Sequence, residues 1–372
     1  AWQAILFGST LLLSTLAGVH AANSPKHSEF RSKLQTTLNQ HLSQLLKDDG
    51  SVVTLKGKTA KGEEALTFYL MFEASGNETF RLAALDLADQ VLKDMRAMKF
   101  GVLPIKEKEK PGGQIIMGGG PPALGAYASA LAYILHQEGG RSNDLKYLAT
   151  VIDQFPWNEN GWWASTIDVR TGESKLPMTQ PTIINKNAGM AKAAGILSFY
   201  LRDIDPKLAA SLKQKTDQCI YRQILPVQEA DGFWHYNLTG NDPENKDVLG
   251  YFMLTTKELM DLQHFNPAYR EARLNASLKK AQAFVANQIA PMAAPNKPSI
   301  RSHRATRDTP KRYSLKEDAK RSYQLGLILI GSEYAEEGIK IMNAALEHFP
   351  TGNVGQDGSH AAEPSALILS EL

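Results

Sequence analysis

Apolar residues recur at helical spacing along most of the chain. Phe30, Leu34, Leu38 and Leu42 stand at every fourth position, which is typical of one face of an α-helix. The segment 350–372 carries only a short apolar patch, and no element is assigned to it. The same spacing predicts helices from residue 28 and at about 62–75, 78–98, 123–138, 143–154, 183–202, 206–223, 247–264, 267–289, 314–331 and 333–348.

The predicted helices come in pairs, with a short turn inside each pair and a long loop between pairs. Helix pairs in series form either an open solenoid or a closed toroid. Solenoid repeats are usually shorter and more uniform, so the pattern favours an all-α fold, an (α/α)n toroid or barrel. We expect one catalytic domain over 23–372, with strands only as short hairpins inside loops, such as 161–173.

The long loops of such a toroid lie on one rim, because each joins the second helix of a pair to the first helix of the next. Loops on a rigid scaffold are a common place for a site. We expect residues near 110–120, 155–187, 231–246 and 300–313 to line one mouth. The stretch Gly112–Gly120 lacks the Gly-Lys-Ser/Thr of a phosphate-binding loop, so we interpret it as a mobile loop or lid.

Composition narrows the class of protein. The chain has 372 residues, a formal net charge of +2, 43% hydrophobic and 22% charged residues, as in ordinary globular proteins. The balanced charge gives no reason to expect a nucleic-acid partner. Cys219 is the single cysteine, which excludes an intramolecular disulfide and a CxxC-type zinc site. It lies in a helical pattern and is expected to be buried.

The first residues form an apolar run, Trp2–Ala22, that ends in small residues. The run resembles a secretory signal peptide over 1–22, with cleavage after Ala21 or Ala22. The alternative is a membrane anchor, since a run of about 20 residues can span a bilayer. We expect a secreted or periplasmic protein with no membrane contact after cleavage.

Tryptophans beyond the apolar run occur only in two predicted loops. Trp157, Trp162 and Trp163 lie in one, and Trp234 in the other. Exposed indoles present flat apolar faces that suit stacking on sugar rings. In the alternative interpretation they pack the loops onto the helix ends. Both interpretations stay open for each residue.

The last predicted long loop is basic. Arg301, Arg304 and Arg307 lie there among several lysines; many such lysines belong to ordinary solvated faces. A guanidinium group binds a carboxylate through two parallel hydrogen bonds. Indoles and arginines on one rim therefore favour an anionic polysaccharide as partner.

The segment Asp231–Asn237 concentrates His235, Tyr236 and Trp234 beside a glycine. It is too polar for a core strand and too aromatic for an ordinary surface loop. We interpret His235 as a candidate catalytic residue, although a loop histidine with a structural partner is the alternative. His303, on the same rim, is the second choice.

Two asparagines, Asn185 and Asn187, stand where the second long loop enters a helix. Asparagine is well suited to helix capping, and we expect that role for one of the two. The other could direct its amide into the mouth.

These groups suit β-elimination from a uronic-acid polymer. The carboxylate next to the acidic C–H must be neutralised, which Asn187 or an arginine could do. His235 or a tyrosine could remove the proton, and Tyr236 or Tyr313 could protonate the departing oxygen. The set requires no metal and no cofactor.

An Asn, then a His in the next loop, then Arg and Tyr a few residues apart resembles the toroid-type polysaccharide lyases, which include the alginate and glucuronan lyases. Polysaccharide lyase family 38 is the most similar in this respect, over about 185–313. The resemblance implies that Asn187 neutralises the carboxylate, His235 is the base or its helper, Arg307 assists and Tyr313 is the acid. Tyr236 competes with Tyr313 for the last role, and Arg301 or Arg304 with Arg307.

Three alternatives remain. A glycoside hydrolase on a similar toroid would use two carboxylates. A uronate epimerase would use the same residues as a lyase and leave the polymer intact. A non-catalytic protein could bind anionic glycans through the same tryptophans and arginines; the residues expected to bind substrate also include His303 and Asn185.

Overall fold

The computed structural model describes residues 25–53, 60–98, 101, 107–110, 114–117, 120–165, 183–237, 249–289, 293–294, 297–301, 312–314, 319–347 and 356–371. The expected signal peptide over 1–22 lies outside these ranges. Twelve α-helices occur within them: α1 Pro25–Gln44, α2 Ala60–Ser75, α3 Glu78–Arg96, α4 Gly120–Glu138, α5 Ser142–Gln154, α6 Ile184–Tyr200, α7 Pro206–Cys219, α8 Leu249–Phe265, α9 Ala272–Phe284, α10 Ala319–Ile330, α11 Ala335–Leu346 and α12 Gln356–Glu371.

The even-numbered helices form a closed inner ring. Helix α2 packs on α4, α4 on α6, α6 on α8, α8 on α10 and α10 on α12, and α12 returns to α2. The odd-numbered helices lie outside, with α3 on α2, α7 on α6, α11 on α10 and α1 on α12. The predicted all-α toroid is confirmed, with six inner and six outer helices among the described residues.

Burial separates the two rings. Helix α6 of the inner ring buries almost its whole surface, including Asn185 and Lys192. Outer helix α5 buries one face, with Leu145, Leu148 and Ile152. An amphipathic helix packs one stripe against a core, whereas a helix buried all round belongs to the interior. A charged side chain on an inner helix therefore needs a partner.

Polar caps and small residues position the helices. The Asn77 side chain accepts a hydrogen bond from the Thr79 N–H at 3.1 Å and begins α3, as expected of an N-cap. A Cβ on Gly125 of α4 would lie 2.4 Å from the Gly189 carbonyl oxygen of α6. Glycine is needed there for the close approach of two inner helices.

Two predicted helices and the C-terminal tail differ from the structure. The segment 206–223 leaves the α-helix after Cys219 and continues as a π-helical turn, Ile220–Ile224. The segment 267–289 divides into a 3₁₀ turn, α9 and a second π-helical turn. The tail, which received no element, contains α12 despite Pro364 inside it. Its inward side chains, such as Leu367 and Ile368, are buried and complete the ring.

Short hairpins occupy the long connections. The strands are β1 Glu107–Lys110, β2 Gln114–Met117, β3 Trp157–Asn158, β4 Trp162–Trp163, β5 Ala293–Ala294, β6 Lys297–Arg301 and β7 Arg312–Ser314. The pairs β1–β2, β3–β4, β5–β6 and β6–β7 are antiparallel. The hairpin expected at 161–173 is instead centred on 157–163, and 166–182 lie outside the described residues. No helix within the described ranges is long and apolar enough to span a membrane.

Candidate functional site

One end of the inner ring receives all the long connections. The segments 45–59, 97–119, 155–183, 220–248, 285–318 and 347–355 each lead from an outer helix into the start of an inner helix. We call this end the rim, and the end where the inner helices finish the base. Helix N-termini carry partial positive charge and N–H groups without helical partners, so the rim favours negatively charged groups.

The segment that holds His235 is fixed to the outer wall of the toroid. Gly232 has a φ of +97°, and a Cβ there would lie 2.3 Å from the Lys280 carbonyl oxygen of α9. The Phe233 ring packs against Phe252 and Phe284, with centroids 5.0 and 5.2 Å away. This packing holds the backbone on both sides of the turn and limits where the next side chains can go.

His235 contacts the carboxylate of Glu229. The Nε2 and Oε1 atoms lie 2.5 Å apart, and the two side chains are 24% and 35% exposed. The Phe233 ring meets the imidazole edge-on at 5.4 Å. A carboxylate beside an imidazole fixes the orientation of the ring. The pair is accessible and suited to moving a proton.

Tyr236 connects this pair to the inner ring. Its carbonyl oxygen accepts a hydrogen bond from the Ile184 N–H at 3.0 Å, and Asn237 forms a β-bridge with Ile183. Its ring lies 4.5 Å from the ring of Tyr251, in the first turn of α8. The connection 220–248 therefore touches the N-terminal ends of both α6 and α8.

Asn187 serves the chain's own backbone. It is buried, and its Oδ1 accepts a hydrogen bond from the Trp163 N–H at 2.8 Å. Its Nδ2 donates to the Ile183 and Trp163 carbonyl oxygens at 3.3 and 3.4 Å. The expected capping role is not found, because the N-cap residue of α6 is Ile183, which makes no side-chain cap hydrogen bond. The Asn187 amide binds the backbone instead of the substrate carboxylate that the resemblance implies.

Asn185 differs from its neighbour. It is 8% exposed, and its Oδ1 has no hydrogen-bond partner among the described residues. A buried amide oxygen without a partner costs free energy, which a bound donor would recover. Of the two asparagines, Asn185 is therefore the better candidate for a ligand contact, with its oxygen buried below the rim.

The tryptophans expected as sugar platforms are in the core. Trp162, Trp163 and Trp234 are 3%, 0% and 1% exposed. The Trp157 and Trp163 rings meet edge-on at 4.5 Å, and Trp234 Nε1 donates to the Ile224 carbonyl oxygen at 3.0 Å. Large amphipathic rings fill the space between loops and helix ends, so the packing alternative applies to these three.

The basic connection is described only in part. Arg301 and Tyr313 lie in β6 and β7, where Tyr313 pairs with Ile300 and Arg301 with Arg312. The orientation of their side chains lies outside what the structure describes. His303, Arg304 and Arg307 fall in 302–311, outside the described residues. Their expected roles stay predictions.

A column of polar groups runs from the rim into the ring. Asn185 and Lys192 are seven residues apart on α6, as are Tyr251 and Glu258 on α8, so each pair shares a helix face. Lys192 Nζ contacts Glu258 and lies 3.3 Å from Asp261 Oδ2. These faces of α6 and α8 therefore point toward each other inside the ring.

Deeper in the column, Lys257 joins two carboxylates. Its Nζ lies 2.5 Å from Asp261 Oδ2 and 2.9 Å from Glu363 Oε1 on α12. Burial acts to raise the pKa of Asp261, but the charges of Lys257 and Lys192 hold that pKa below its usual value. Burial raises the pKa of Glu363 despite the opposing charge of Lys257. The two carboxyl groups thus differ in proton affinity.

Sequence reasoning missed this network and also Lys186. Lys192, Lys257 and Asp261 lie within largely apolar helical segments, which is a usable signal because buried charges are rare unless they are paired. Lys186 lies in the first turn of α6 and donates to the Ser165 carbonyl oxygen at 3.0 Å. Burial lowers the pKa of its ammonium group. Within the described residues, no cluster of His, Cys, Asp and Glu is placed to hold a metal ion.

Comparison with known proteins was informative only for structure. No family model matches the chain, and no curated protein does. Cellobiose 2-epimerase from Bacillus thermoamylovorans B4167 superposes with a TM-score of 0.66 at 11% identity, over 93% of this chain and 99% of that one.

Two further solved structures are similar over most of their length. An unsaturated glucuronyl hydrolase specific for heparin has a TM-score of 0.64 at 12% identity, covering 92% of this chain and 96% of that one. A D-mannose isomerase has a TM-score of 0.60 at 15% identity, covering 93% and 98%. The structural neighbours are α/α toroid enzymes that act on sugars, and at these identities the similarity establishes that this chain has their fold.

Proposed function

We propose that this chain is an enzyme that removes a proton from a sugar carbon next to a carbonyl or carboxylate group. The observation that carries the proposal is the accessible His235–Glu229 pair on the rim, with Tyr236 as its neighbour in sequence. An imidazole held by a carboxylate can accept the proton, and a phenol can return one. The sugar-processing neighbours support a saccharide as substrate.

Epimerisation or isomerisation is the outcome that we propose first. Removing the proton leaves an enolate-like anion, which the positive helix ends at the rim would stabilise. Return of the proton to the other face gives an epimer, and return to the neighbouring carbon gives an isomer. Neither outcome requires a group to protonate a leaving oxygen.

β-Elimination of a uronic-acid polymer begins with the same proton removal. It differs because the anion expels the glycosidic oxygen, which then takes a proton. Tyr313 and Arg307 are the residues proposed for that second half. A lyase would therefore share the first step with an epimerase or isomerase and differ in what happens to the anion.

The test is to incubate the protein in D₂O with cellobiose, mannose, glucuronan and polymannuronate and to follow each C–H signal by proton NMR. We expect deuterium to replace one hydrogen next to a carbonyl or carboxylate, without bond cleavage for an epimerase or isomerase. A new double bond absorbing in the near ultraviolet would identify the lyase. New reducing ends without deuterium exchange would contradict proton abstraction, and binding without any change would indicate a binding protein.

A glycoside hydrolase is the second candidate, favoured by Asp261 and Glu363. Both contact Lys257 Nζ, at 2.5 and 2.9 Å, and a glycosidase uses two neighbouring carboxyl groups. Their pKa values move in opposite directions, as an acid and a nucleophile require. If this candidate is right, Glu363→Gln removes bond cleavage and His235→Gln leaves it intact.

A further inference from the structure

We infer that Tyr236 and Tyr251 form a stacking surface for a sugar ring at the rim, which we call the tyrosine platform. The inference rests on the proposed function, because it names the binding subsite of the same site. It replaces the buried tryptophans as the aromatic contact with substrate.

Exposure distinguishes Tyr251 from the other large apolar residues. Within the described ranges, Tyr251 and Leu82 are the exposed large hydrophobic side chains, at 39% and 57%. Leu82 lies on the outer helix α3, away from the inner ring. Tyr251 begins an inner helix, where its neighbours Phe252 and Met253 are buried. An aromatic ring left open at that position has a face available to a ligand.

The second ring enlarges the surface. The centroids of Tyr236 and Tyr251 lie 4.5 Å apart at an interplanar angle of 38°. Tyr236 is held by its backbone contact with Ile184, so the pair spans the gap between α6 and α8. Two rings fixed in this way need little ordering on binding, and the flat C–H faces of a sugar suit such a surface.

The helix faces place this platform above the polar column. Glu258 lies two turns, about 10 Å, below Tyr251 on the same face of α8. On α6, Asn185 occupies the corresponding level and offers a buried acceptor oxygen without a partner among the described residues. A sugar stacked on the platform would therefore have Asn185 within the same mouth to accept one of its hydroxyl hydrogens.

The combination indicates a hydroxylated ring with an apolar face, and hence a saccharide. Aromatic stacking alone would suit any flat apolar group. The open Asn185 oxygen adds a requirement for a hydrogen-bond donor next to that face, which sugar hydroxyls meet.

The test measures binding separately from turnover. Calorimetric titrations with cellopentaose and with a glucuronan oligosaccharide would compare the wild type with Tyr251→Ala, Tyr251→Phe and Leu82→Ala. We expect Tyr251→Ala to raise the Kd for the bound oligosaccharide about tenfold, equivalent to about 1.4 kcal/mol. Tyr251→Phe keeps the ring and should stay within about twofold of the wild type. Leu82→Ala should not change the Kd.

Two outcomes would overturn the inference: an unchanged Kd in Tyr251→Ala, or a wild type that binds neither oligosaccharide. Circular dichroism of each variant excludes misfolding as the cause of weaker binding. The proposed function fails separately, if the wild type binds an oligosaccharide through Tyr251 yet causes neither deuterium exchange nor cleavage. Conversely, exchange with an unchanged Kd in Tyr251→Ala would contradict the platform alone.

Discussion

The rim and the base of the inner ring contain the same kinds of side chain in different arrangements. At the base, Tyr133 Oη donates to both oxygens of Glu73 at 2.8 and 2.9 Å. Tyr69 Oη donates to Glu138 Oε1 at 2.8 Å, and Arg81 Nε donates to the same atom at 2.8 Å. Each phenol is bonded to a carboxylate, and each bond joins two different helices.

The rim is arranged differently. The rings of Tyr236 and Tyr251 lie side by side at an angle of 38°, His235 contacts the carboxylate of Glu229, and the buried Asn185 Oδ1 has no partner among the described residues. Polar side chains that hydrogen-bond to one another stabilise a fold, whereas a functional site must keep some polar side chains available for a ligand. The comparison indicates that the base stabilises the ring, and it supports the proposal that places the chemistry on the rim.

The largest expected effect distinguishes two histidines. His235→Gln should lower the rate of deuterium exchange by about 10²–10⁴-fold, the usual contribution of a general base. His136, which stacks on Tyr200 at the base with centroids 4.0 Å apart, provides the matched control. His136→Gln should leave that rate unchanged. Equal loss of activity in both variants would contradict the proposal that the reaction takes place at the rim.

The next effect concerns the network between the two ends. Lys257→Met leaves Asp261 and Glu363 without their shared cation, and loss of one partner of a buried ion pair costs about 3–5 kcal/mol of unfolding free energy. Lys340→Met removes an exposed ion pair with Glu337 and should cost less than about 1 kcal/mol. Urea unfolding measures both. Similar costs for the two variants would show that the interior network does not hold the inner helices together.

A smaller effect concerns the end of the ring that we call the base, where the stability contributed by Glu138 should depend on pH. Hydrogen bonds from Arg81 hold the pKa of Glu138 below its usual value of 4.5. Its carboxylate therefore stabilises the fold above that value, and the contribution is lost as pH falls through the lowered pKa. Glu138→Gln should cost about 1–2 kcal/mol at pH 7, and the difference should shrink in acid. A cost that is independent of pH would contradict the charge-assisted bond.

Glu73 provides the control, because its pKa is shifted in the opposite direction from that of Glu138. Burial raises its pKa above the usual value, so the folded protein holds this proton more tightly than the unfolded chain does. The free energy of unfolding therefore falls as pH rises from the usual pKa through the raised pKa. We expect Glu73→Gln not to destabilise the protein at pH 7 through loss of charge. Loss of stability like that of Glu138→Gln would mean that the two carboxylates of the base act alike.

The architecture was predictable because the apolar pattern covers most of the chain and each helix depends on residues that are close in sequence. Helix pairs with apolar faces and long loops between pairs are sufficient to predict the toroid and the single rim. The segment that became α12 was missed since it is interrupted by Pro364, and its apolar residues, such as Ala366 and Leu367, are few. Its helix is stabilised by packing between α2 and α10, which no local pattern reports.

The site was predictable only in outline. His235 and Tyr236 were named from their density beside a glycine, and both lie on the rim. The tryptophans were misplaced because the sequence shows which loop holds an indole and not which way it faces. Asn187 was misassigned for a related reason: its partner, the Trp163 backbone, lies 24 positions away. Tyr251 gave no signal, since one exposed ring in an apolar helix resembles its buried neighbours.

The contact between α12 and α2 imposes an order on folding. Most inner helices meet the next inner helix in the sequence, so those contacts can form while the chain is still being synthesised. The last contact joins helices separated by almost the whole chain, and Lys257 cannot meet Glu363 until α12 has left the ribosome. Loops that large close slowly. Until then the faces of α2 and α10 that α12 covers stay exposed, so we expect a nascent chain to need protection longest there.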